Sequence, residues 1–273
     1  MARRWWRVGA ALVVTVVLIS GGVVARALLV HNPAAVVVPV CQATAGTATY
    51  PLDLDQAANA GTIAAVGKRL GMADHAVTIA LAAALQESEL RNLSHGDRDS
   101  LGLFQQRPSQ GWGTASQIML PRYAATAFYQ HLGAIAGWET LAVTDAAQRV
   151  QRSAAPDAYA QWEAEARVLA QALTGEVPAG LSCTFPTSSY ASTPGPWATA
   201  LAGDLGPVNI ADPVAVNRGW TIATWLVGHA AAYRITAVSF AGNRWTPVGA
   251  WLPDPSAGAS QVVQVRTVPP GKG

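Results

Sequence analysis

The chain has 273 residues, of which 51% are hydrophobic types and only 12% are charged. That balance excludes an intrinsically disordered chain, and 25 Gly with 17 Pro and no repeat period exclude a collagen-like one. Eighteen basic residues against 16 acidic give a net charge of +2, without the clustered Lys and Arg that neutralise phosphates, so nucleic acid is excluded as a partner.

Arg3, Arg4 and Arg7 precede Val8–Ala25, a run without a charge; Arg26 interrupts it before Ala27-Leu28-Leu29-Val30. About 20 apolar residues span a bilayer, so Val8–Val30 is long enough for a single transmembrane helix. The basic flank predicts a cytoplasmic amino terminus, with Trp5 and Trp6 at headgroup level. The competing reading is a cleaved signal peptide, with Ala25-Arg26-Ala27 as an A-x-A site. Either reading exports the rest of the chain. Cysteine usage agrees with export: two Cys in an oxidising compartment pair, so a Cys41–Cys183 disulfide is expected. No metal site is expected, because two distant Cys and five scattered His make no ligand spacing.

Residues 31–53 read as a stem with little periodicity. A helix is predicted over Gln56–Leu70, capped by Asp55 and stopped by Gly71, and a second over His75–Arg91, capped by Asp74. Asn92–Gly113 reads as loop. Further helices are predicted over Pro121–Trp138, Thr144–Ser153 and Ala158–Leu173. Residues 184–212, rich in Ser, Thr, Pro and Gly, read as a linker. After it, Pro213–Tyr233 reads as a helix, and Ile235–Phe240, Arg244–Leu252 and Gln261–Val268 read as strands. The expected architecture is a cytoplasmic stub and anchor over 1–30, the stem over 31–53, a mainly α domain over 54–183, the linker over 184–212 and a small α+β module over 213–273.

Chemistry concentrates between Leu81 and Gly113. Glu87 falls near the end of the second predicted helix, and the residues on its face at i−3, i−4 and i−7 (Ala84, Ala83 and Ala80) are all Ala. A carboxyl emerging from such a face is expected to be partly buried, which favours the protonated state a general acid needs. Glu89, two residues on, points to the other side of the helix, so the two carboxylates cannot share one site.

Glu87-Ser88 at the end of an apolar helix, followed by Gly102-Leu103-Phe104-Gln105, resembles the lysozyme-like lytic transglycosylases, whose signature is a Glu-Ser pair and then a Gly-Leu-Met-Gln turn. The longer string GDRDSLGLFQQRPSQGWG is similar to the lysozyme-like domains of actinobacterial exported wall hydrolases, as are Ala147–Ser153 and Pro156–Tyr159. The resemblance covers about residues 54–173. It implies a lysozyme-like fold and cleavage of peptidoglycan glycan strands, with Glu87 protonating the bridging oxygen between N-acetylmuramic acid and N-acetylglucosamine. In a transglycosylase the same carboxylate then takes the proton of the sugar's own 6-hydroxyl, closing an anhydro ring. In a hydrolase a second acid activates water, and Asp97 and Asp99 are the candidates, each also readable as a turn residue or a partner of Arg98 or Arg107. The resemblance offers Ser88, Gln105, Tyr159 and Trp112 as substrate-binding residues; each also has a structural reading, as helix cap, loop amide, core tyrosine and packing tryptophan. Two departures stand out: Gly96 falls roughly where the family carries Ser, and the Ala-Tyr-Asn-x-Gly motif is missing at Ala158-Tyr159-Ala160.

The expected function is a membrane-anchored enzyme, facing the cell wall, that cuts peptidoglycan strands without a cofactor. The alternative is a catalytically inactive glycan-binding or scaffold protein of an envelope secretion or conjugation complex. The 213–273 module, free of any catalytic pattern, is the expected contact for an envelope protein partner.

Overall fold

A computed structural model describes residues 37–155, 157–255 and 261–268. The first element is a hairpin, β1 (Val40–Ala45) and β2 (Ala48–Leu52), turning at Gly46 with φ +59°. Its inward positions Cys41, Ala43 and Ala45 are buried, so the face is built from small residues. A third strand, β3 (Leu181–Thr184), returns to the other edge of β1. Cys41 faces Cys183 across β1 and β3, and the two form a disulfide joining points 142 residues apart.

Between β2 and β3 lie six helices: α1 (Leu54–Arg69), α2 (Asp74–Ser88), α3 (Ala115–Ile118), α4 (Pro121–Gly133), α5 (Val143–Gln151) and α6 (Glu163–Leu173). Asp53, not Asp55, caps α1. Its carboxylate accepts from the Gln56 backbone N–H, and the Gln56 side chain accepts from the Asp53 N–H, both at 2.8 Å. Gly71, with φ +72°, ends the turn after α1. The second helix is buried on nearly every side, as befits a helix whose sequence is apolar all round. It packs on α6, α5 and α1. Its end is set by Glu89 and Leu90, both left-handed, which stops it three residues short of the expected Arg91.

Beyond β3 come α7 (Trp197–Leu205), α8 (Val216–Gly228) and α9 (Ala230–Tyr233), then a four-stranded antiparallel sheet in the order β6-β5-β4-β7, from β4 (Ile235–Phe240), β5 (Asn243–Trp245), β6 (Leu252–Pro253) and β7 (Gln264–Thr267). Helix α8 lies on α1, β3 and β4. Trp220, Trp225 and Trp245 are buried in the core that also holds Cys41 and Ile63.

The expected fold class is corrected by these observations. A mainly α domain with a separate α+β module behind a membrane helix is not the architecture; the described residues form nine α-helices and two small antiparallel sheets and are 47% helical. The stem supplies the central strand of one sheet, because Cys41 and Cys183 pair strands whose sequences lie far apart. The linker contains α7, whose Leu201, Asp204 and Leu205 are buried. Among the described residues no helix is long and apolar enough to cross a membrane. The run Val8–Val30, on which the anchor was expected, lies outside the described residues.

Candidate active site

Glu87 stands in the last turn of α2, half-buried, while Glu89 is exposed. The Ala80, Ala83 and Ala84 face beneath Glu87 is completely buried. The Tyr159 hydroxyl donates to Glu87 Oε1 at 2.6 Å. This tyrosine is both things the sequence left open: its side chain is fully buried, and its one polar atom reaches the acid. Burial pushes its phenol far above the ordinary phenol range, and the bond to Glu87 and that residue's charge push the same way. The hydroxyl therefore remains a donor throughout the physiological range. Ser153, nearby, opposes that rise.

Ser88 joins the helix to the motif turn. Its hydroxyl lies 2.7 Å from the Leu103 carbonyl and 3.1 Å from that of Ala84, so it positions the turn and is itself buried. The turn is closed by a bridge between Leu101 and Gln106. Gly102 takes φ +75°, and a side chain there would meet the Ile118 carbonyl at 2.9 Å, so only glycine fits. Gln105 is also left-handed; its amide donates weakly to the Gly102 and His95 carbonyls at 3.3 and 3.4 Å. A Cβ at Gly96 would fall 1.8 Å from Gln105 Oε1. The Gln105 amide thus fills the space that a serine at this position would need, which gives the departure at Gly96 a physical reason.

The two candidate second acids differ. Asp97 is almost fully exposed and lies 3.9 Å from Arg98. Asp99 accepts from Arg107 Nε at 2.8 Å, from the Ser109 N–H at 2.8 Å and from the Ser109 hydroxyl at 3.0 Å. Those donors, Arg107 foremost, hold its carboxyl well below the usual carboxylate range. A carboxylate so stabilised is a weak base, and its three bonds clamp the loop. Trp112 stacks on His131, ring centres 4.0 Å apart, and both line a cavity described below.

Four polar residues around the acid escaped the sequence reading. Gln86 Oε1 accepts from Trp162 Nε1 at 2.8 Å and Gln161 Nε2 at 3.0 Å. Gln151 Nε2 donates to the Phe104 carbonyl at 2.9 Å, gripping the motif turn from α5. Glutamines adjoining an acid and a quoted motif were the available signal, but nothing local distinguishes a bridging amide from a solvated one. Among the described residues no group of acidic, His or Cys side chains has the makings of a metal site.

A second polar centre lies under α7 and α8. Asp204, 4% exposed, accepts from Arg122 Nε, Thr62 Oγ1 and Trp225 Nε1 at 2.5, 3.1 and 3.0 Å. His229 Nδ1 is 2.8 Å from the Trp225 carbonyl and Nε2 is 3.2 Å from Thr62 Oγ1. Desolvation lowers the His229 pKa, opposed by the charge of Asp204. With Nδ1–H committed to a carbonyl, Nε2 of the neutral ring presents a lone pair. The single Thr62 proton then lies between that lone pair and Asp204. This centre fastens α7 and α8 to α1 and α4.

Compared with known proteins, the chain matches no family model and no curated protein.

Proposed function

We propose that this protein cleaves peptidoglycan glycan strands, with Glu87 as the general acid and then the general base. The observation that carries the reading is the Tyr159–Glu87 hydrogen bond. A half-buried carboxylate at the tail of an alanine-lined helix is oriented by a donor that cannot ionise near neutrality. It stands beside a turn, Gly102–Gln105, to which Ser88 ties it. Glu87 would give its proton to the bridging oxygen as that bond breaks, and the resulting carboxylate would accept a proton from the incoming hydroxyl.

The state of the other carboxylates favours the one-acid route, in which the incoming hydroxyl is the sugar's own and the product is an anhydro-muropeptide. Asp99 is engaged by three donors, and Asp97 points into solvent. Ser88 acts on the turn, and Gln105 contributes an amide beside it. The reading places the enzyme outside the cytoplasm, facing the wall. Its support is the disulfide and the basic-then-apolar amino-terminal segment, which would provide attachment to the membrane. Trp220, Trp225, Ile235 and Trp245 share the core of the helices, and a contact with an envelope protein through 213–273 is a further part of the proposal.

The test is Glu87→Gln in the full chain, purified in detergent and incubated with peptidoglycan. Soluble muropeptide release should fall at least about 100-fold, and mass spectrometry of wild-type products should find anhydro ends. Undiminished release by the variant, or none from the wild type, would overturn the proposal; the second result would favour a glycan-binding scaffold.

A further inference from the structure

Beside the motif turn is a cavity of about 590 Å³, lined by Trp112, His131, Ile135, Arg149, Gln151 and Arg152 among others. Both arginines are exposed. Among the described residues neither has a carboxylate partner; the ion pairs there involve Lys68, Arg91, Arg98, Arg107, Arg122 and Arg167. The end of α5 carries a partial negative charge that suits basic residues. That accounts for their sign, but not for two unpaired guanidinium groups lining one cavity with an indole.

The cavity is coupled to Glu87 through three consecutive residues. Gln151, in its wall, holds the Phe104 carbonyl of the motif turn. Arg152 follows in a left-handed conformation, φ 51°, with its N–H bonded to the Gln148 carbonyl, so the chain turns sharply there. Ser153 follows, near enough to the Tyr159 phenol to ease its ionisation slightly, and that phenol bonds Glu87. A guanidinium is a planar fork matched to a carboxylate, and an indole offers a large flat apolar face with one polar N–H.

We propose that this cavity is the subsite for an anionic part of the substrate: a carboxylate borne by the glycan, held by Arg149 and Arg152 while Trp112 lies along the adjoining ring. This rests on the reading of Glu87 as the glycan-cleaving acid. The carboxylate has two sources, the acidic sugar itself and a peptide appended to it.

The experiment measures co-sedimentation of the full chain in detergent with three insoluble probes: intact peptidoglycan, peptidoglycan stripped of its peptides by an amidase, and uncharged chitin. It compares the wild type with the double variant Arg149→Gln/Arg152→Gln. Two lost charge-assisted bonds correspond to a weakening of roughly 10-fold or more. The double variant should lose at least that on intact peptidoglycan, and at least about tenfold more than on chitin. Arg149→Lys/Arg152→Lys should recover part of the loss. Amidase frees the sugar carboxyl that the peptide's amide otherwise masks, so a loss greater on stripped than on intact peptidoglycan assigns the carboxylate to the sugar, and a loss greater on intact peptidoglycan assigns it to the peptide. Equal losses on peptidoglycan and chitin, or no loss, overturn the proposal. Failure of the Glu87 reading is separate: it appears as unchanged muropeptide release by Glu87→Gln, whatever the arginine variants do to binding.

Discussion

Tyr159 and Glu87, 72 positions apart, share a 2.6 Å hydrogen bond in which the donor is fully buried and the acceptor half-buried. The bond crosses from the segment before α6 to the end of α2, the pair of helices with the most extensive mutual packing. It converts a core tyrosine into a support for the acid. Removing the hydroxyl with Tyr159→Phe should lower the rate of muropeptide release by about tenfold, the worth of one charge-assisted bond. Binding to intact peptidoglycan should change less than the rate does. Equal loss in both would make Tyr159 a packing residue only.

The same tyrosine predicts alkaline lability. Burial raises the phenols of Tyr159 and Tyr129 well above their ordinary range. A group whose folded pKa is raised stabilises the fold below its unfolded value, near 10 for tyrosine, and that contribution is lost as pH climbs past it. Thermal unfolding followed from pH 8 to 11 should show a steep fall for the wild type. The fall should be shallower for Tyr159→Phe and for Tyr129→Phe, and an unaltered slope in both would refute the assignment.

Asp97 and Asp99 are expected to separate cleanly. Asp97→Asn should leave turnover within about a factor of two, as for exposed residues generally. Asp99→Asn removes the charge that Arg107 faces and one of the two oxygens that accept from Arg107 and Ser109, and should open the 97–109 loop to proteolysis. Because its carboxylate is held low, the clamp should be intact at neutral pH and weaken only in strong acid, once the carboxyl protonates. Limited digestion of the wild type should therefore proceed alike at pH 7 and pH 3, where the carboxyl is still ionised. Complete loss of catalysis in Asp99→Asn, with an intact loop, would instead make it the second acid of a hydrolase.

The Asp204 centre is also weakened by acid, but in a milder range. Breaking a buried ion pair costs about 3–5 kcal/mol, toward the lower figure here because Arg122 is nearly half exposed; Asp204→Ala should lower stability in urea accordingly. His229 has a depressed pKa, so its contribution is present above the unfolded value near 6.5 and is lost as pH falls. Urea midpoints measured between pH 7.5 and 5 should decline for the wild type and stay flatter for His229→Gln.

Helix positions were largely legible in the sequence because their signals are local. The left-handed Gly71 and Pro121 at the start of α4 each act within one turn of the chain, whereas the cap of α1 was read two residues late, at Asp55 in place of Asp53. Ile235–Phe240 was legible as a strand from its alternation, and a Cys41–Cys183 pair from compartment and count alone. The hairpin over 40–52 was not: its buried face is Cys41, Ala43 and Ala45, too small to stand out as an alternating apolar pattern. Helix α7 was hidden by the Pro, Gly and Ser around it; its burial comes from contacts with α1 and α8.

The candidate site divides in the same way. An acid on a small-residue face follows from helical spacing, while the Gly102–Gln105 turn was marked by resemblance and its need for glycine is seen only in the fold. The bond from Tyr159 to Glu87, the engagement of Asp99 by Arg107 and Ser109, the gathering of Arg149 and Arg152 beside Trp112, and the burial of Asp204 exist only in the folded molecule. Local patterns act through neighbours a few residues away, where chain geometry sets the contact. Which hydroxyl meets which carboxylate across the core is set by how whole helices pack, and no periodicity along the chain encodes that meeting.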